Sequence, residues 1–336
     1  MEEHKKPDDN VEKKKYSWKL IIIVIILLLF LVFWGLKNLE KDKEIGLINP
    51  VLETKHWETI MNNKHINLEY TLMDYKNSKI RAWDLTHLSV YFRNMNNGTQ
   101  FGINQKEMFS PASLMKLPLL IAYFKKSEQE IWLLEKELTF VVNGSVDDYK
   151  QNIKPEWKLK AGKKYKIIDI LKNMIIYSDN EASIFLENNI EFDYFMKVFT
   201  DIWIEFPPFI EWAFDNNIRV VDYSAFFRVL YNSSYLNKQN SQLVLDLLTK
   251  TRFKEWLYAW VSDTDISIAH KFGERSIFGN NWIERMQLHD CGIIYYPDYP
   301  YLLCIMTRWY NWDILQSTLQ EVSNIVYQKI DEAYNE

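Results

Sequence analysis

An unbroken apolar segment, Leu20–Leu36, lies near the start of the chain. It reaches the lower limit of about 17 residues for a helix that spans a bilayer. Tyr16, Trp18 and Trp34 lie near its ends, where aromatic side chains favour the lipid headgroups. No small-residue cleavage site follows the segment. The pattern therefore predicts an uncleaved transmembrane anchor over residues 19–36.

The charges on the two sides of this anchor differ. Lysines are more frequent in residues 1–18 than in the stretch that follows the anchor. Since positive charge is retained on the cytoplasmic side, we expect a cytoplasmic tail over 1–18 and the larger part of the chain outside the cytoplasm. Residues 37–87 are interpreted as a stalk and an N-terminal lead-in, with a helix around Leu68–Tyr75.

A different period begins at Leu88, where apolar and polar residues alternate as far as Arg93. Asn97–Gly98 interrupts this pattern, and the alternation resumes at Phe101 and Ile103. Two alternating runs around an Asn-Gly pair are typical of a β-hairpin. We therefore predict two antiparallel strands here.

The next segment has the marks of a helix start. Ser110 followed by Pro111 predicts an N-cap and a first helical residue. Pro118 then lies inside the predicted helix, where it cannot bond to the Leu114 carbonyl, so a kink is expected. The apolar stripe of this helix consists of Leu117, Leu120, Ile121 and Phe124.

The rest of the chain divides into a helical part and a second strand-rich part. Helical spacing dominates residues 128–262, and strands are predicted from Ile266 to Gly273 and on both sides of Pro297–Pro300. A terminal helix carries apolar residues from Leu315 to Ile330. We expect an α+β fold in which N- and C-terminal strands form one antiparallel sheet covered by helices, with an inserted all-helical lobe at about 128–262.

Composition narrows the range of functions. The chain has 336 residues and a net charge of −5, with no basic patch, so nucleic acid is not an expected partner. No histidine pattern indicates a metal site, and we expect no cofactor. Cys291 and Cys304 lie in one predicted hairpin, where a cross-strand disulfide and two free buried thiols both remain open. We expect a monomer.

Three short motifs carry candidate chemistry. Ser113 and Lys116 are three residues apart in the predicted helix, so their side chains share one face. A serine hydroxyl needs a base, and a lysine whose pKa is lowered by burial can supply one. Ser178–Asp179–Asn180 follows in a polar turn between two helices, and Lys271–Phe272–Gly273 lies on a predicted strand.

In this order the motifs resemble the Ser-x-x-Lys, Ser-Asp-Asn and Lys-Thr-Gly signature of class A β-lactamases and penicillin-binding proteins. The resemblance extends from about Leu88 to the C-terminus. Pro111–Ala112–Ser113 and Ala161–Gly162–Lys163 add to it. It implies a β-lactamase/transpeptidase-like catalytic domain over 88–336.

The resemblance also implies roles for single residues. Ser113 would attack an amide carbonyl and become acylated, with Lys116 as its base. Ser178 would pass the proton to the leaving nitrogen. Lys271 would keep Lys116 neutral through like-charge repulsion.

Four residues are implied in substrate binding. Asn180 would hold the amide of the substrate side chain, and Lys271 would also bind the substrate. Gly273 would let the strand backbone approach the ligand closely. The backbone N–H groups of Ser113 and Glu274 would form the oxyanion hole.

The sequence departs from the family pattern at the binding site for the substrate carboxylate. Phe272 replaces a threonine or serine, and Cys291 lies where many class A enzymes have an arginine. Arg275, Arg285 and Arg308 are the candidate replacements.

A second departure concerns the glutamate that activates the deacylating water in class A enzymes. The loop between Thr200 and Tyr223 offers only Glu205 and Glu211, and neither stands in the family's motif. We therefore expect deacylation to be the slow step.

Three functions follow as hypotheses. The first is a membrane-anchored extracytoplasmic serine hydrolase that opens β-lactam amides through a Ser113 acyl-enzyme. The second is a D,D-peptidase that acts on peptidoglycan stem peptides and deacylates slowly. The third is a non-catalytic module that binds the cell wall.

Overall fold

The computed structural model describes residues 46–49, 67–142, 152–205, 218–259, 261, 266–278 and 284–334. The predicted anchor over Leu20–Leu36 lies outside these ranges, so the anchor and the boundaries proposed around it stay predictions. Within the described ranges, no helix has both the length and the apolar character needed to cross a bilayer.

The central element is a five-stranded sheet with the strand order β2-β1-β9-β8-β7, in which all neighbours are antiparallel. Val90 pairs with Ile305, so the first predicted hairpin lies beside the last strand. The predicted antiparallel sheet of N- and C-terminal strands is confirmed. The described strands are β1 (His87–Asn94), β2 (Gln100–Ile103), β3 (Met108–Phe109), β4 (Glu137–Thr139), β5 (Lys164–Lys166), β6 (Ile218–Arg219), β7 (Ile268–Phe278), β8 (Glu284–Ile294) and β9 (Tyr301–Trp309).

Helices cover both faces of this sheet. The helix predicted around Leu68–Tyr75 is present and runs on to Arg81. The described helices are α1 (Leu68–Arg81), α2 (Lys116–Ser127), α3 (Ile167–Ile176), α4 (Asn180–Glu187), α5 (Phe192–Asp201), α6 (Val220–Tyr231), α7 (Lys238–Thr249) and α8 (Trp312–Tyr334).

The sheet separates two apolar cores. Leu302 and Met306 of β9 join a core shared with α2, α3, α6 and α7, whereas Leu303 and Ile305 join a core shared with α1 and α8. Successive residues of a strand point to opposite faces, so a strand buried on both sides is apolar throughout. This explains the near-continuous apolar run in β9.

The middle of the chain is mostly helical, but it is not all-helical as predicted. Leu138 pairs with Tyr165 in a short β4–β5 hairpin, and Ile218 of β6 pairs with Phe109 of β3. These strands have two or three residues each, too few for an alternating pattern to be visible in the sequence.

The two cysteines occupy directly paired positions of β8 and β9. Both are buried and both are free thiols. Of the two states left open by the sequence, the structure has the free one.

The predicted helix cap at Ser110 is wrong. The helical segment begins with a 3₁₀ turn over Ala112–Met115, whose N-cap residue makes no side-chain bond. Ser110 is held by the sheet: its N–H donates to Gln287 Oε1 at 2.9 Å, and its Oγ accepts from Arg275 Nη1 at 2.9 Å. A charged donor therefore engages the hydroxyl that would otherwise cap the helix.

Pro118 lies in a different helical position from the predicted one. Because α2 begins at Lys116, Pro118 lies in its first turn, where backbone N–H groups lack helical partners anyway. The expected kink inside the helix is therefore absent from this position. Instead, the 3₁₀ turn ends at Met115 and the α-helix begins at Lys116, before the proline. The carbonyl of Leu114, which Pro118 cannot reach, accepts a hydrogen bond from Tyr223 Oη at 3.0 Å.

Tyr223→Phe should lower the free energy of unfolding by about 1–3 kcal/mol, because the buried Leu114 carbonyl loses its side-chain donor. Chemical denaturation measures this difference. Tyr70→Phe is the matched control, since Tyr70 is 73% exposed and its hydroxyl lies in water. Equal stability of the two variants would contradict this account of the proline position.

Candidate active site

Ser113 lies in the 3₁₀ turn before α2, and the edge strand β7 packs directly against this turn. A Cβ atom on Gly273 would lie 2.7 Å from the Pro111 carbonyl oxygen and 2.9 Å from Leu114 Cγ. Both distances are shorter than real contacts, so glycine is required for the strand to approach the turn. Gly273 thus has a packing role toward the turn that carries Ser113; its predicted role toward a ligand stays a prediction.

Lys116 is the centre of the site. Its side chain is 4% exposed, and Nζ lies 3.1 Å from Ser113 Oγ. The same nitrogen lies 3.2 Å from Ser178 Oγ, 2.6 Å from the Ser178 carbonyl oxygen and 2.6 Å from Asn180 Oδ1. The structure therefore brings together the residues of the first two motifs at one atom.

Burial lowers the pKa of Lys116 to about 7, because the ammonium form loses its hydration. The negative charges of Asp179, Glu187 and Glu274 act in the opposite direction and limit the fall. A lysine with this pKa is largely uncharged just above neutral pH, so it can accept the proton of Ser113.

Lys271 approaches Ser178 from the other side. Its Nζ lies 3.0 Å from Ser178 Oγ and donates to the Phe272 carbonyl at 2.9 Å. Burial holds the pKa of Lys271 well below its usual range, and the charge of Lys116 lowers it further. From the sequence we expected repulsion by Lys271 to keep Lys116 neutral. In the structure, burial is the main cause of the lowered pKa of both lysines.

The turn between α3 and α4 directs Ser178 and Asn180 at Lys116. Asp179 caps α4 by accepting from the N–H groups of Glu181 at 2.9 Å and Ala182 at 3.4 Å. Ser178 has φ 55°, a left-handed conformation that costs about 1–3 kcal/mol in a residue other than glycine. Surrounding contacts hold this strained turn, which suits a functional site.

Glu274 contributes more than the backbone N–H predicted from the sequence. Its two carboxylate oxygens accept from the N–H groups of Ile153 at 2.8 Å and Asn152 at 3.2 Å. The side chain thus fixes an adjacent loop beside the site, and burial raises its pKa. Its predicted oxyanion role is still untested.

The family's carboxylate-binding positions are apolar here. Phe272 is 2% exposed and packs against Phe253 and Trp256. Cys291 pairs with Lys271 in the β7–β8 register, yet its side chain is buried in the core beneath the helices. Cys291 therefore offers no exposed group to a substrate carboxylate, and its likeness to the family's arginine position stays a prediction.

Of the three candidate arginines, Arg275 contacts the segment that leads to Ser113, through Ser110. Arg308 Nη2 donates to the Met108 carbonyl at 2.6 Å, and the guanidinium carbon of Arg285 lies 5.9 Å from the ring centre of Tyr310.

A cavity of about 370 Å³ lies beside the catalytic motifs, next to Tyr177 and Phe272. Lys154, Arg252 and Lys254 bring positive charge to its wall. No motif marks these residues, so the sequence did not reveal them. The remaining lining residues are Asn152, Ile153, Glu156, Ile176, Phe253, Glu255, Trp312 and Gln316.

Of the two glutamates in the Thr200–Tyr223 loop, the structure describes one. Glu205 is exposed, and its charge acts on Arg219. Glu211 lies outside the described residues. As for metals, the described part of the chain has no group of three or more His, Cys, Asp or Glu side chains that could hold an ion.

The rate of Ser113 acylation by a fluorescent penicillin should rise with pH and reach half of its plateau near pH 7. The uncharged form of Lys116, whose pKa is about 7, is the form that accepts the proton. Initial labelling rates from about pH 5.5 to about pH 9 measure this profile. A half-maximum near the ordinary lysine value of about 10 would contradict it.

Comparison with solved structures identifies chains that have the same fold. Solved structures with the same fold include PBP-A (20% identity, 79% of this chain and 96% of that chain, TM-score 0.64). A mutant of PBP-A in an acyl-enzyme complex with penicillin G has 22% identity and a TM-score of 0.63, over 79% of this chain and 97% of that chain. A β-lactamase from Chitinophaga pinensis has 17% identity and a TM-score of 0.65, over 77% of this chain and 99% of that chain. At these identities the likeness shows the fold alone.

A search of curated proteins gives no match. The sequence model of the β-lactamase enzyme family matches residues 80–330, which is more than half of the chain. The β-lactamase/penicillin-binding superfamily inferred from the three motifs is thereby confirmed. The chain belongs to the β-lactamase enzyme family.

Proposed function

We propose that the chain is a serine hydrolase that opens β-lactam amides through an acyl-enzyme on Ser113. The observation that carries the proposal is the distance of 3.1 Å between Ser113 Oγ and Lys116 Nζ, together with a Lys116 pKa of about 7. A nucleophile beside a base that is uncharged near neutral pH is the minimum that acyl transfer requires.

Acylation follows from these contacts. Lys116 removes the proton of Ser113 as Oγ bonds to the amide carbonyl carbon, and the N–H groups of Ser113 and Glu274 receive the developing oxyanion. Ser178 Oγ, 3.2 Å from Lys116 Nζ, then donates a proton to the leaving nitrogen as the C–N bond breaks. Lys116 replaces the proton on Ser178. A positioned general base contributes about 10²–10⁴-fold to such a step.

The choice of substrate rests on two observations. The PBP-A mutant with this fold forms an acyl-enzyme with penicillin G. The wall of the cavity beside Phe272 carries Lys154, Arg252 and Lys254 together with Glu156 and Glu255. Arg252 lies 4.0 Å from Glu156, which leaves the two lysines as the cations proposed to meet the carboxylate of a penicillin. Asn180, whose Oδ1 lies 2.6 Å from Lys116 Nζ, is proposed to bind the amide of the substrate side chain.

A D,D-peptidase that acts on peptidoglycan stem peptides is the second candidate. It is favoured by the loop glutamates, since neither stands in the family's motif and Glu205 is exposed to solvent. A non-catalytic wall-binding module is disfavoured, because burying two lysine side chains at Ser178 is costly and serves no purpose in simple binding.

Ser113→Ala and Lys116→Ala should each abolish labelling by a fluorescent penicillin. The double variant should be little worse than either single variant, because nucleophile and base act as one unit. Labelling rates and intact mass measure the effect, with Lys125→Ala as control, since Lys125 lies at the other end of α2. Near wild-type labelling by Lys116→Ala would reject the proposed base.

The same label separates the two enzymatic candidates. Fast loss of label from the wild-type chain favours the β-lactam hydrolase, whereas persistent label favours the D,D-peptidase. A wild-type chain that takes no label contradicts both.

We further propose that Leu20–Leu36 anchors the enzyme in the cell membrane, with residues 1–18 in the cytoplasm and the catalytic domain outside. The lysine-rich segment before this apolar run supports that orientation.

Protease added to intact cells or protoplasts should therefore degrade the chain after Lys37 and spare residues 1–18. Immunoblots with tags at each terminus measure the outcome, and detergent-permeabilised cells are the control. A protected C-terminal tag would reverse the orientation and remove the cell-wall substrates from consideration.

A further inference from the structure

The loop over residues 152–158, here called the strap, is hydrogen-bonded at its start to strand β7. One carboxylate oxygen of Glu274 accepts the N–H of Ile153 at 2.8 Å, and the other accepts the N–H of Asn152 at 3.2 Å. Hydrogen bonds to an ionised acceptor are about twice as strong as those between neutral groups. The Glu274 side chain therefore attaches the start of the strap firmly to the strand.

The other end of the strap is attached to the turn that carries the second motif. The ring centre of Trp157 lies 6.0 Å from that of Tyr177, and Lys158 Nζ donates to Glu181 Oε1 at 2.9 Å. Tyr177 and Glu181 are the residues on either side of Ser178–Asn180. The strap thus connects the helical side of the site to the sheet.

The two attachment points lie on either side of a contact inside the site. Ser178 Oγ, next to Tyr177 in the chain, lies 3.0 Å from Lys271 Nζ. Lys271 precedes Glu274 by three residues on β7, which is an edge strand of the sheet. A substrate bound between Ser113 and the backbone N–H of Glu274 therefore lies next to the strap.

The attached strap also limits the space beside the site. Asn152 and Ile153 line the cavity of about 370 Å³ that Phe272 also lines. This volume is near the lower end of the range of about 300–1,000 Å³ that is typical of ligand sites. Ile153 packs against the apolar core that includes Phe272, so the start of the strap lies close to that residue. A larger ligand needs the strap to move.

We propose that the Glu274 carboxylate selects substrates by size, because it holds the strap on β7. This inference rests on the proposed acyl-enzyme. A penicillin with a small side chain binds while the strap is attached. A penicillin with a bulky side chain binds only after the strap has left Glu274. Its apparent affinity is then reduced by the fraction of molecules in which the strap is released.

Glu274→Ala in the full chain keeps the backbone N–H of residue 274 and removes the acceptor of the strap. Acylation rates, followed by intact mass, are compared for penicillin G and for a penicillin with a fluorophore on its side chain. The ratio of the fluorescent to the unlabelled rate should rise about tenfold. Because both substrates acylate Ser113 by the same step, an altered pKa of Lys116 cancels in this ratio.

Glu128→Ala is the matched control. Glu128 Oε1 also accepts a loop N–H, that of Asn237, at 2.7 Å, but it lies at the other end of α2 from the site. This variant should keep the wild-type ratio. A wild-type ratio in Glu274→Ala would overturn the inference. A wild-type chain that neither penicillin acylates would instead contradict the proposed function.

A measurement on the wild-type chain needs no variant to fold. The N–H groups of Asn152 and Ile153 are protected from hydrogen exchange while Glu274 accepts them. Mass spectrometry of peptides that contain both residues compares the chain under excess penicillin G with the chain under excess fluorescent penicillin. Exchange should be faster with the fluorescent penicillin. Equal protection in the two acyl-enzymes would overturn the inference.

Discussion

The loss of hydration at one atom, Lys116 Nζ, is the constraint on which the rest of the site depends. Four polar atoms replace water around it: Ser113 Oγ, both oxygens of Ser178 and Asn180 Oδ1. To bring them there, Ala112 and Ser178 take φ values of 49° and 55°, each at a cost of about 1–3 kcal/mol. The rest of the fold stabilises these two strained residues, and the lysine that they help to enclose can act as a base.

The sheet supplies the rigidity that keeps this arrangement in place. Ser110, three residues before the nucleophile, is held by Arg275 of β7 and by Gln287 and His289 of β8. Burial lowers the pKa of His289 to about 4, so its ring is uncharged and donates to the Ser110 carbonyl. Gly273 then lets β7 reach the Ser113 turn without a clash. The nucleophile is therefore fixed by strands that are distant in sequence.

The sequence predicted the parts of the structure that depend on local patterns. The β1–β2 hairpin follows from alternation around Asn97–Gly98, and the Ser113–Lys116 contact from helical spacing. Features set by tertiary context were missed. Ser110 lost its predicted cap to Arg275, and the short β3–β6 and β4–β5 pairs lie in or beside a segment that was predicted to be all-helical.

The pKa of Lys116 tests the central claim most directly. Lysine labelled with ¹³C at Cε gives a signal that titrates with the amine, and Lys116→Ala identifies the resonance. The account predicts a midpoint at about 7 for this one lysine. A signal that stays protonated up to the ordinary value of about 10 would contradict it and leave Ser113 without its base.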